Sequence, residues 1–148
     1  MSNADYAAIA VVNSTITHIE HFKPRQLYPG LALEYENLHA SCDSSKSNNR
    51  HCGHLKGNID PVGKIISPLE KNCASHFTYD RLGHIRAAAG DTLAESTIRL
   101  LGLDKPALVA GRRMAILTVE NNIEDWRDVD QGDLPGFYNI VEYYLNLK

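Results

Sequence analysis

Histidine is concentrated in one stretch of this chain, and that stretch constrains the fold more than any other feature. Five of the seven histidines lie within residues 18–54: His18, His21, His39, His51 and His54. Histidine can accept a proton near neutral pH and can bind a divalent transition metal. Glu20 directly precedes His21, and Asn37 lies between that pair and His54. A carboxylate, two histidines and an asparagine are the parts that a metal-assisted phosphodiester hydrolase needs.

Length and composition set the outer limits. A chain of 148 residues with 43% hydrophobic content is long enough for one core, and it contains no apolar run of the ~18–20 residues that a membrane span requires. The chain has three cysteines, which are too few for a disulfide scaffold and cannot all pair because their number is odd. This cysteine content favours a reducing cytoplasm. The net charge of −3 is not the basic footprint of a stand-alone nucleic-acid-binding protein. Any nucleic-acid contact must come from a local patch or from a partner.

The residue pattern in the first part of the chain predicts a pair of extended segments, two short helices and a loop. Residues 6–12 are small and β-branched and residues 15–22 alternate around Ile16, which together predict the extended pair. Apolar residues recur at helical spacing in residues 31–42, which predicts a short helix. Residues 43–50 are polar and turn-rich, so we expect a flexible loop there. A brief helix should follow over residues 52–59.

The next part predicts a hairpin and a helix. Residues 76–86 have the pattern of a β-hairpin, with residues 80–83 at the turn. Asp91 can then cap a helix over residues 92–101, because its side chain can accept a hydrogen bond from a free backbone N–H. Gly102 follows as a stop signal.

The C-terminal third predicts two more helices. Pro106 suits a first helical turn, where its missing N–H costs nothing, and the pattern continues to Trp126. A break rich in glycine and proline precedes a final helix over residues 137–147. The whole pattern indicates an α+β chain forming a single domain over residues 5–148. Residues 1–4 look like an expression scar.

Three short motifs carry a family resemblance. They are E-H-x-x-P at residues 20–24, N-L at residues 37–38 and C-x-x-x-K-G at residues 52–57. Together they resemble the core of HNH endonucleases and, more narrowly, the retron- and Septu-associated anti-phage subfamily with its I-E-H-F-K/R-P and H-C-G-x-x-K-G signatures. The resemblance implies a ββα-metal core over residues 5–60, followed by a β-hairpin and a mainly helical half over residues 61–148. It also implies a defence nuclease that acts on nucleic acid, with DNA favoured over RNA, and an ATPase or retron as a partner. The lack of a long apolar run indicates no membrane partner.

The same resemblance assigns roles to individual residues. His21 becomes the general base, and Asn37 becomes the asparagine that braces the loop and helps to orient that base. Glu20 and His54 occupy metal-ligand positions. Asn58 is a weaker third ligand candidate, because it would follow His54 by one helical turn. Basic residues of this stretch are expected to contact nucleic acid: Lys23, Arg25 and Lys56.

The chain departs from the subfamily at a structural metal site. Relatives usually carry a C-x-x-C before I-E-H-F that completes a four-cysteine zinc site, whereas Ala7 and Ala10 stand there in this chain. We expect a catalytic divalent ion (Mg²⁺, Mn²⁺, Ni²⁺ or Zn²⁺) but no complete Cys₄ zinc, since the chain has three cysteines. Three explanations stay open for Cys42 and Cys52. The site was lost, it was removed by engineering, or a non-standard set uses His51.

The other histidines have simpler interpretations. His18 is interpreted as a surface strand residue and His39 as a residue on a helix face. His51 is interpreted as a loop histidine. His76 and His84 lie at the ends of the predicted hairpin, where we expect exposure to solvent.

Two functions stay open. The set of Glu20, His21, Asn37 and His54 favours a metal-dependent HNH endonuclease. The missing C-x-x-C and the acidic net charge favour a non-catalytic nucleic-acid-binding or assembly module that keeps the HNH fold. Gly53 stands where the broader HNH pattern has asparagine. His54 is assigned the ligand role because the chemistry requires a second ligand and no other nearby residue suits as well.

Overall fold

The computed structural model describes residues 17–42, 44–45, 50–121, 140 and 143–144, and its fold is α+β, as predicted. Its strands are β1 (Thr17–His21), β2 (Leu38–Cys42), β3 (Phe77–Tyr79) and β4 (Ile85–Ala87). Its helices are α1 (Cys52–Lys56), α2 (Thr92–Leu101) and α3 (Pro106–Asn121). Short 3₁₀ turns lie at Pro29–Leu31, Tyr35–Asn37 and Cys73–His76. Ile140, Tyr143 and Tyr144 are also helical.

Strands β1 and β2 form a two-stranded antiparallel sheet, and α1 packs against β2. In the register of this sheet, Glu20 lies opposite His39 and His21 lies opposite Leu38. Helix α1 also contacts α2, which joins the sheet to the second part of the molecule. The order of strand, strand and helix is a ββα arrangement, and it places the Glu20–His21 pair at the end of β1.

The predicted helix over residues 31–42 is wrong. Its second half is strand β2, and its first half contains one 3₁₀ turn, Tyr35–Asn37, and begins at the last residue of another, Pro29–Leu31. The apolar spacing does not mark a buried stripe, because Tyr35 is 87% exposed. Pairing with β1 decides the conformation, and a local pattern does not record a distant partner. Residues 6–12, the expected partner of β1, lie outside the described residues, as does most of the loop predicted over residues 43–50.

Helix α1 is shorter than predicted. It ends at Lys56 rather than at residue 59, because Gly57 takes φ +53° and ψ −128°, a conformation that does not continue a helix. Asn58 therefore does not follow His54 on one helix face. The helical argument for Asn58 as a metal ligand is wrong, although its position in the fold keeps it close to the site described below.

The hairpin and the next two helices follow the sequence signals closely. Strands β3 and β4 pair antiparallel, and the Asp80 carboxylate accepts hydrogen bonds from two backbone N–H groups of the turn at 2.9 and 3.0 Å. Asp91 caps α2 by accepting a hydrogen bond from Ala94 N at 2.8 Å, and Gly102 ends it with φ +61°. Helix α3 begins at Pro106, and its predicted end at Trp126 lies outside the described residues.

The apolar core lies mainly after residue 61. Its buried members there are Ile65, Ile66, Cys73, Phe77, Ile85, Ala94, Leu101, Leu103, Leu108, Ala115, Ile116, Val119 and Ile140. Arg112 is 1% exposed within this region, where its guanidinium donates to the carbonyls of Gly83 and Leu103, each at 2.6 Å. A Cβ at Gly83 would overlap the Val109 carbonyl, so the hairpin turn packs directly on α3. In the part of the chain that the structure describes, no helix combines the length and the apolar character that crossing a bilayer requires.

Candidate active site

The chain leaves β1 at a bend that the buried side chain of Asn37 closes. This residue is 6% exposed, and its amide oxygen accepts a hydrogen bond from Lys23 N at 2.7 Å. Its amide nitrogen donates to the carbonyls of Lys23 (3.1 Å) and Leu31 (3.0 Å). The backbone N–H of Phe22 donates to the Asn37 carbonyl at 2.9 Å. These bonds fix the whole loop between Phe22 and Asn37, which is the geometry that a bracing asparagine requires.

The imidazole of His21 lies partly buried at this bend, with one nitrogen engaged. Its Nε2 lies 2.9 Å from the Ala32 carbonyl oxygen. A carbonyl oxygen can only accept, so Nε2 carries the proton of the neutral ring. Nδ1 then keeps its lone pair, which is the state that a general base needs. The loop that Asn37 braces consequently also sets the tautomer of His21.

Glu20 lies beside His21 in the chain and contacts two neighbouring side chains. Its Oε1 is 2.8 Å from Lys56 Nζ, and its Oε2 is 3.5 Å from His18 Nε2. The carboxylate also explains a glycine in α1, because a Cβ at Gly53 would lie 2.6 Å from Glu20 Oε2. A side chain at residue 53 would displace the carboxylate, so the asparagine of the broader HNH pattern does not fit this arrangement.

Lys56 connects α1 to the bend. Its side chain is 3% exposed, and its ammonium donates to the carbonyls of His21 (2.9 Å), Phe22 (3.2 Å) and Gly57 (3.3 Å) while it contacts Glu20. These partners compensate the buried charge. An ammonium so enclosed does not reach a phosphate in solvent. The structure therefore contradicts the predicted nucleic-acid contact at Lys56 and gives this residue a structural role.

An open cavity of about 450 Å³, with a lining of mixed polarity, lies beside the bend. Its lining consists of Glu20, His21, Pro24, Arg25, Gln26, Gly57 and Asn58. The structure thus gathers the predicted base, two predicted metal ligands and one predicted nucleic-acid contact. Arg25 is exposed, whereas the Lys23 ammonium lies over the Tyr28 ring, 5.5 Å from its centroid. The cavity offers a carboxylate, an amide, an imidazole and a guanidinium to one bound molecule.

His54 is not part of this lining and packs against His18. The two ring centroids are 4.1 Å apart, and His54 Nδ1 accepts a hydrogen bond from Ser44 N at 3.2 Å. Because Nδ1 accepts this bond, the proton of the neutral His54 ring lies on Nε2. A protonated Nε2 has no lone pair for a metal ion, so His54 in this tautomer cannot bind a metal through Nε2. His18, interpreted as a surface residue, is 26% exposed, and its Nδ1 is buried without a hydrogen-bond partner. The sequence contained a signal for this contact. Residues two apart on a strand share a face, so the predicted strand already places His18 beside Glu20.

His39 also differs from its simple interpretation, whereas His51 lies outside the helices and strands as expected, and the side chains of His76 and His84 are 25% and 39% exposed. His39 lies on β2 rather than on a helix face, and burial, the largest cause, lowers its pKa. Its Nε2 is buried without a partner, and its ring meets Phe22 edge-on with centroids 5.9 Å apart. The histidines at the hairpin ends pair with carboxylates: His76 with Asp91 at 2.5 Å and His84 with Asp104 at 3.0 Å.

A second cluster lies where β2 ends and α1 begins. Cys42 Sγ lies 3.4 Å from Cys52 Sγ, and His51 Nδ1 lies 3.3 Å from Cys52 Sγ. The three ligand atoms all lie within 4.8 Å of one another, so this group could hold a metal ion. The hydrogen bond from Cys52 lowers the pKa of Cys42 to about 6, and the same pairing together with burial raises the pKa of Cys52. The non-standard set that the sequence left open is thus brought together in space.

Comparison with known proteins adds no family to this description. No protein-family model matches the sequence, and no curated protein matches it. The HNH resemblance therefore rests on the motifs quoted above.

Proposed function

We propose that this protein is a metal-dependent endonuclease of the HNH type, which hydrolyses phosphodiester bonds of DNA with His21 as general base. The observation that carries the proposal is the hydrogen bond between His21 Nε2 and the Ala32 carbonyl, which leaves the Nδ1 lone pair available on a residue that lines the same cavity as Glu20. Phosphodiester hydrolysis needs an activated water, charge neutralisation at the phosphate and stabilisation of the leaving alkoxide. The cavity residues supply groups suited to each of these tasks.

The proton transfer falls to His21 Nδ1. When Nδ1 takes a proton from the attacking water, the ring becomes cationic, and the Ala32 carbonyl continues to accept from Nε2–H. That bond becomes charge-assisted and therefore stronger as the proton arrives. A positioned base of this kind contributes about 10²–10⁴-fold to the rate.

The oxygen donors of the cavity fit a divalent metal ion. Glu20 offers a carboxylate and Asn58 an amide oxygen, and both line the cavity that His21 lines. Oxygen donors suit Mg²⁺ or Mn²⁺ better than a soft, thiolate-binding ion. When bound, such an ion supplies charge neutralisation at the phosphate and at the leaving oxygen. His54 would join these ligands only after losing its hydrogen bond from Ser44.

Arg25 and Lys23 provide positive charge next to the site. Arg25 is exposed and lines the cavity, and a guanidinium binds phosphate oxygens in a bidentate manner. The net charge of −3 does not attract DNA from a distance. Delivery of the substrate by a partner fits this charge balance. The family resemblance makes anti-phage defence the setting and an ATPase or a retron the partner.

Cleavage assays on plasmid and single-stranded DNA with Mg²⁺, Mn²⁺ or Ni²⁺ test this proposal. His21→Ala should slow cleavage by about 10²–10⁴-fold with an unchanged circular dichroism spectrum. His84→Ala is the matched control, because His84 pairs with Asp104 and does not line the cavity. Equal rates for His21→Ala and the parent protein would refute the assignment of the base.

A non-catalytic nucleic-acid-binding or assembly module is the second candidate, and one observation favours it. Both oxygens of Glu20 already have partners, Lys56 at 2.8 Å and His18 at 3.5 Å. A carboxylate that an ammonium already neutralises attracts a metal ion less strongly. Calorimetric titration with Mn²⁺ separates the candidates. Binding that Glu20→Gln abolishes supports the endonuclease, whereas no binding to the parent protein supports the module.

A further inference from the structure

Three metal-binding side chains converge at a junction outside the proposed active site. Cys42 is the last residue of β2, Cys52 is the first residue of α1, and His51 precedes it. The Sγ atoms of the two cysteines are 3.4 Å apart, and His51 Nδ1 is 3.3 Å from Cys52 Sγ. Both cysteine side chains are buried, at 6% and 7% exposure. The junction therefore presents two sulfurs and one ring nitrogen to a shared point inside the protein.

These separations are close to the edges of a zinc tetrahedron. With Zn–S bonds of about 2.3 Å and Zn–N bonds of about 2.0–2.1 Å, neighbouring ligand atoms lie roughly 3.5–3.8 Å apart. The observed separations of 3.4 and 3.3 Å require shifts of only a few tenths of an ångström, and the third pair, Cys42 Sγ and His51 Nδ1, lies within 4.8 Å. A disulfide would require the sulfurs to close to about 2.05 Å, a much larger movement. The geometry favours a metal ion over an S–S bond.

The backbone around the three ligands is fixed in a way that suits such a site. Ser44 Oγ donates to the His51 carbonyl at 3.0 Å and accepts from His51 N at 3.1 Å, so the residue before α1 is held on both sides. Cys52 has φ +53°, and no other non-glycine residue in the described part of the chain has a positive φ. Such a conformation persists only where the surroundings impose it, often at ligand-binding positions. In this conformation the Cys52 thiol donates to Cys42 Sγ.

We propose that Cys42 Sγ, Cys52 Sγ and His51 Nδ1 bind one Zn²⁺, which ties the end of β2 to the start of α1. The cysteines bind as thiolates, and their two protons pass to solvent. Two sulfurs and an imidazole select Zn²⁺ over Mg²⁺, which prefers oxygen donors. This site differs in chemistry from the oxygen-lined cavity of Glu20 and Asn58, and it does not depend on the proposed nuclease activity. It also uses His51 where the family resemblance implies cysteines alone.

Metal titrations of the metal-free full chain test the site with Zn²⁺ and with Co²⁺ as a spectroscopic probe. One zinc per chain should bind, and Co²⁺ should give a thiolate-to-metal charge-transfer band that Zn²⁺ abolishes. Cys42→Ser and Cys52→Ser should lose both signals, whereas Cys73→Ala, the control at the third buried cysteine, should keep them. His51→Ala should weaken zinc binding by at least about 10–100-fold, the loss seen even for groups that only support a ligand.

A measurement on the unsubstituted protein guards against variants that fail to fold. Zinc should protect two of the three cysteine thiols from a thiol reagent, and cobalt should do the same. Absence of the charge-transfer band together with three unprotected thiols would overturn the proposal. Retention of zinc by Cys42→Ser, with loss in Cys73→Ala, would overturn it as well. Neither outcome bears on the cleavage assay with His21→Ala, so failure of one proposal is distinguishable from failure of the other.

Discussion

The two regions of the molecule fill their interiors with different chemistry. The polar region, defined as the described residues of 17–60, buries an amide, a hydroxyl and an ammonium at Asn37, Ser44 and Lys56. The apolar region, residues 61–121, buries mostly aliphatic and aromatic side chains between its hairpin and two helices, together with two polar side chains, Thr97 and Arg112. Apolar packing tolerates small adjustments, whereas a buried polar group costs free energy as soon as one partner is missing. The polar region is consequently the more sensitive to single substitutions, and it is also the region that contains the candidate site.

The sharpest test of this difference removes one buried cation from each region. Lys56→Met leaves Glu20 and three backbone carbonyls without their donor, and loss of one partner of a buried ion pair costs about 3–5 kcal/mol. Arg112→Met, the matched variant, removes two carbonyl hydrogen bonds but also an Nη1 group that is buried without a partner. We therefore expect a smaller loss from Arg112→Met. Urea denaturation measures both values, and an equal or larger loss for Arg112→Met would remove the distinction between the regions.

A second test compares two buried polar side chains of similar size. Asn37→Ala removes the acceptor of the Lys23 N–H and the amide donor to the Lys23 and Leu31 carbonyls, and it should cost about 1–3 kcal/mol. Thr97→Val in α2 loses the hydrogen bond from Ile66 N at 2.9 Å and should cost about 1–2 kcal/mol. DNA cleavage separates the two more clearly than stability does. Asn37→Ala should reduce it because the loop that holds the Ala32 carbonyl against His21 is released, whereas Thr97→Val should leave the rate nearly unchanged at temperatures where it is folded.

The smallest expected effect is a pH dependence in the apolar region. The backbone N–H of Ala94, and next the His76 ring, hold the pKa of Asp91 below its usual range. A carboxyl group with a lowered pKa stabilises the fold above its ordinary pKa of about 3.9, and this contribution is lost as the pH falls through the folded value. Asp91→Ala should therefore lower the melting temperature at neutral pH, and the difference from the parent should shrink in acid. Melting curves over that range check this. A difference that stays constant down to acid pH would show that the charge of Asp91 has no part in the cap.

The sequence predicts the apolar region better because its signals are local. Asp91, Gly102 and Pro106 act on backbone groups within a few residues, so the caps and the boundary of α2 can be read without knowing any distant contact. Strand β2 has no such signal. Its conformation depends on β1, some twenty residues earlier in the chain, and the helical spacing of Leu31, Tyr35, Leu38 and Cys42 predicts the wrong element.

The candidate site shows the same limit at the level of single side chains. The motif order identifies Glu20, His21 and Asn37, and these residues do meet at one bend. It does not reveal that Lys56 points inward, because a lysine in a polar stretch is exposed far more often than buried. It also assigns Asn58 through a helix that ends too early, although Gly57 turns the chain so that Asn58 lines the cavity all the same.

The contact between Gly53 and Glu20 has a consequence for how this sequence can drift over evolutionary time. Because a Cβ at residue 53 would lie 2.6 Å from Glu20 Oε2, the two positions share a single volume. A lineage can keep Glu20 together with Gly53, or it can replace Glu20 by the shorter aspartate and gain a side chain at residue 53. Changing either position alone overlaps atoms or leaves a gap. Gly53→Ala should accordingly be tolerated in a Glu20→Asp background and tolerated poorly in the parent chain. Two positions more than thirty residues apart are therefore expected to change together.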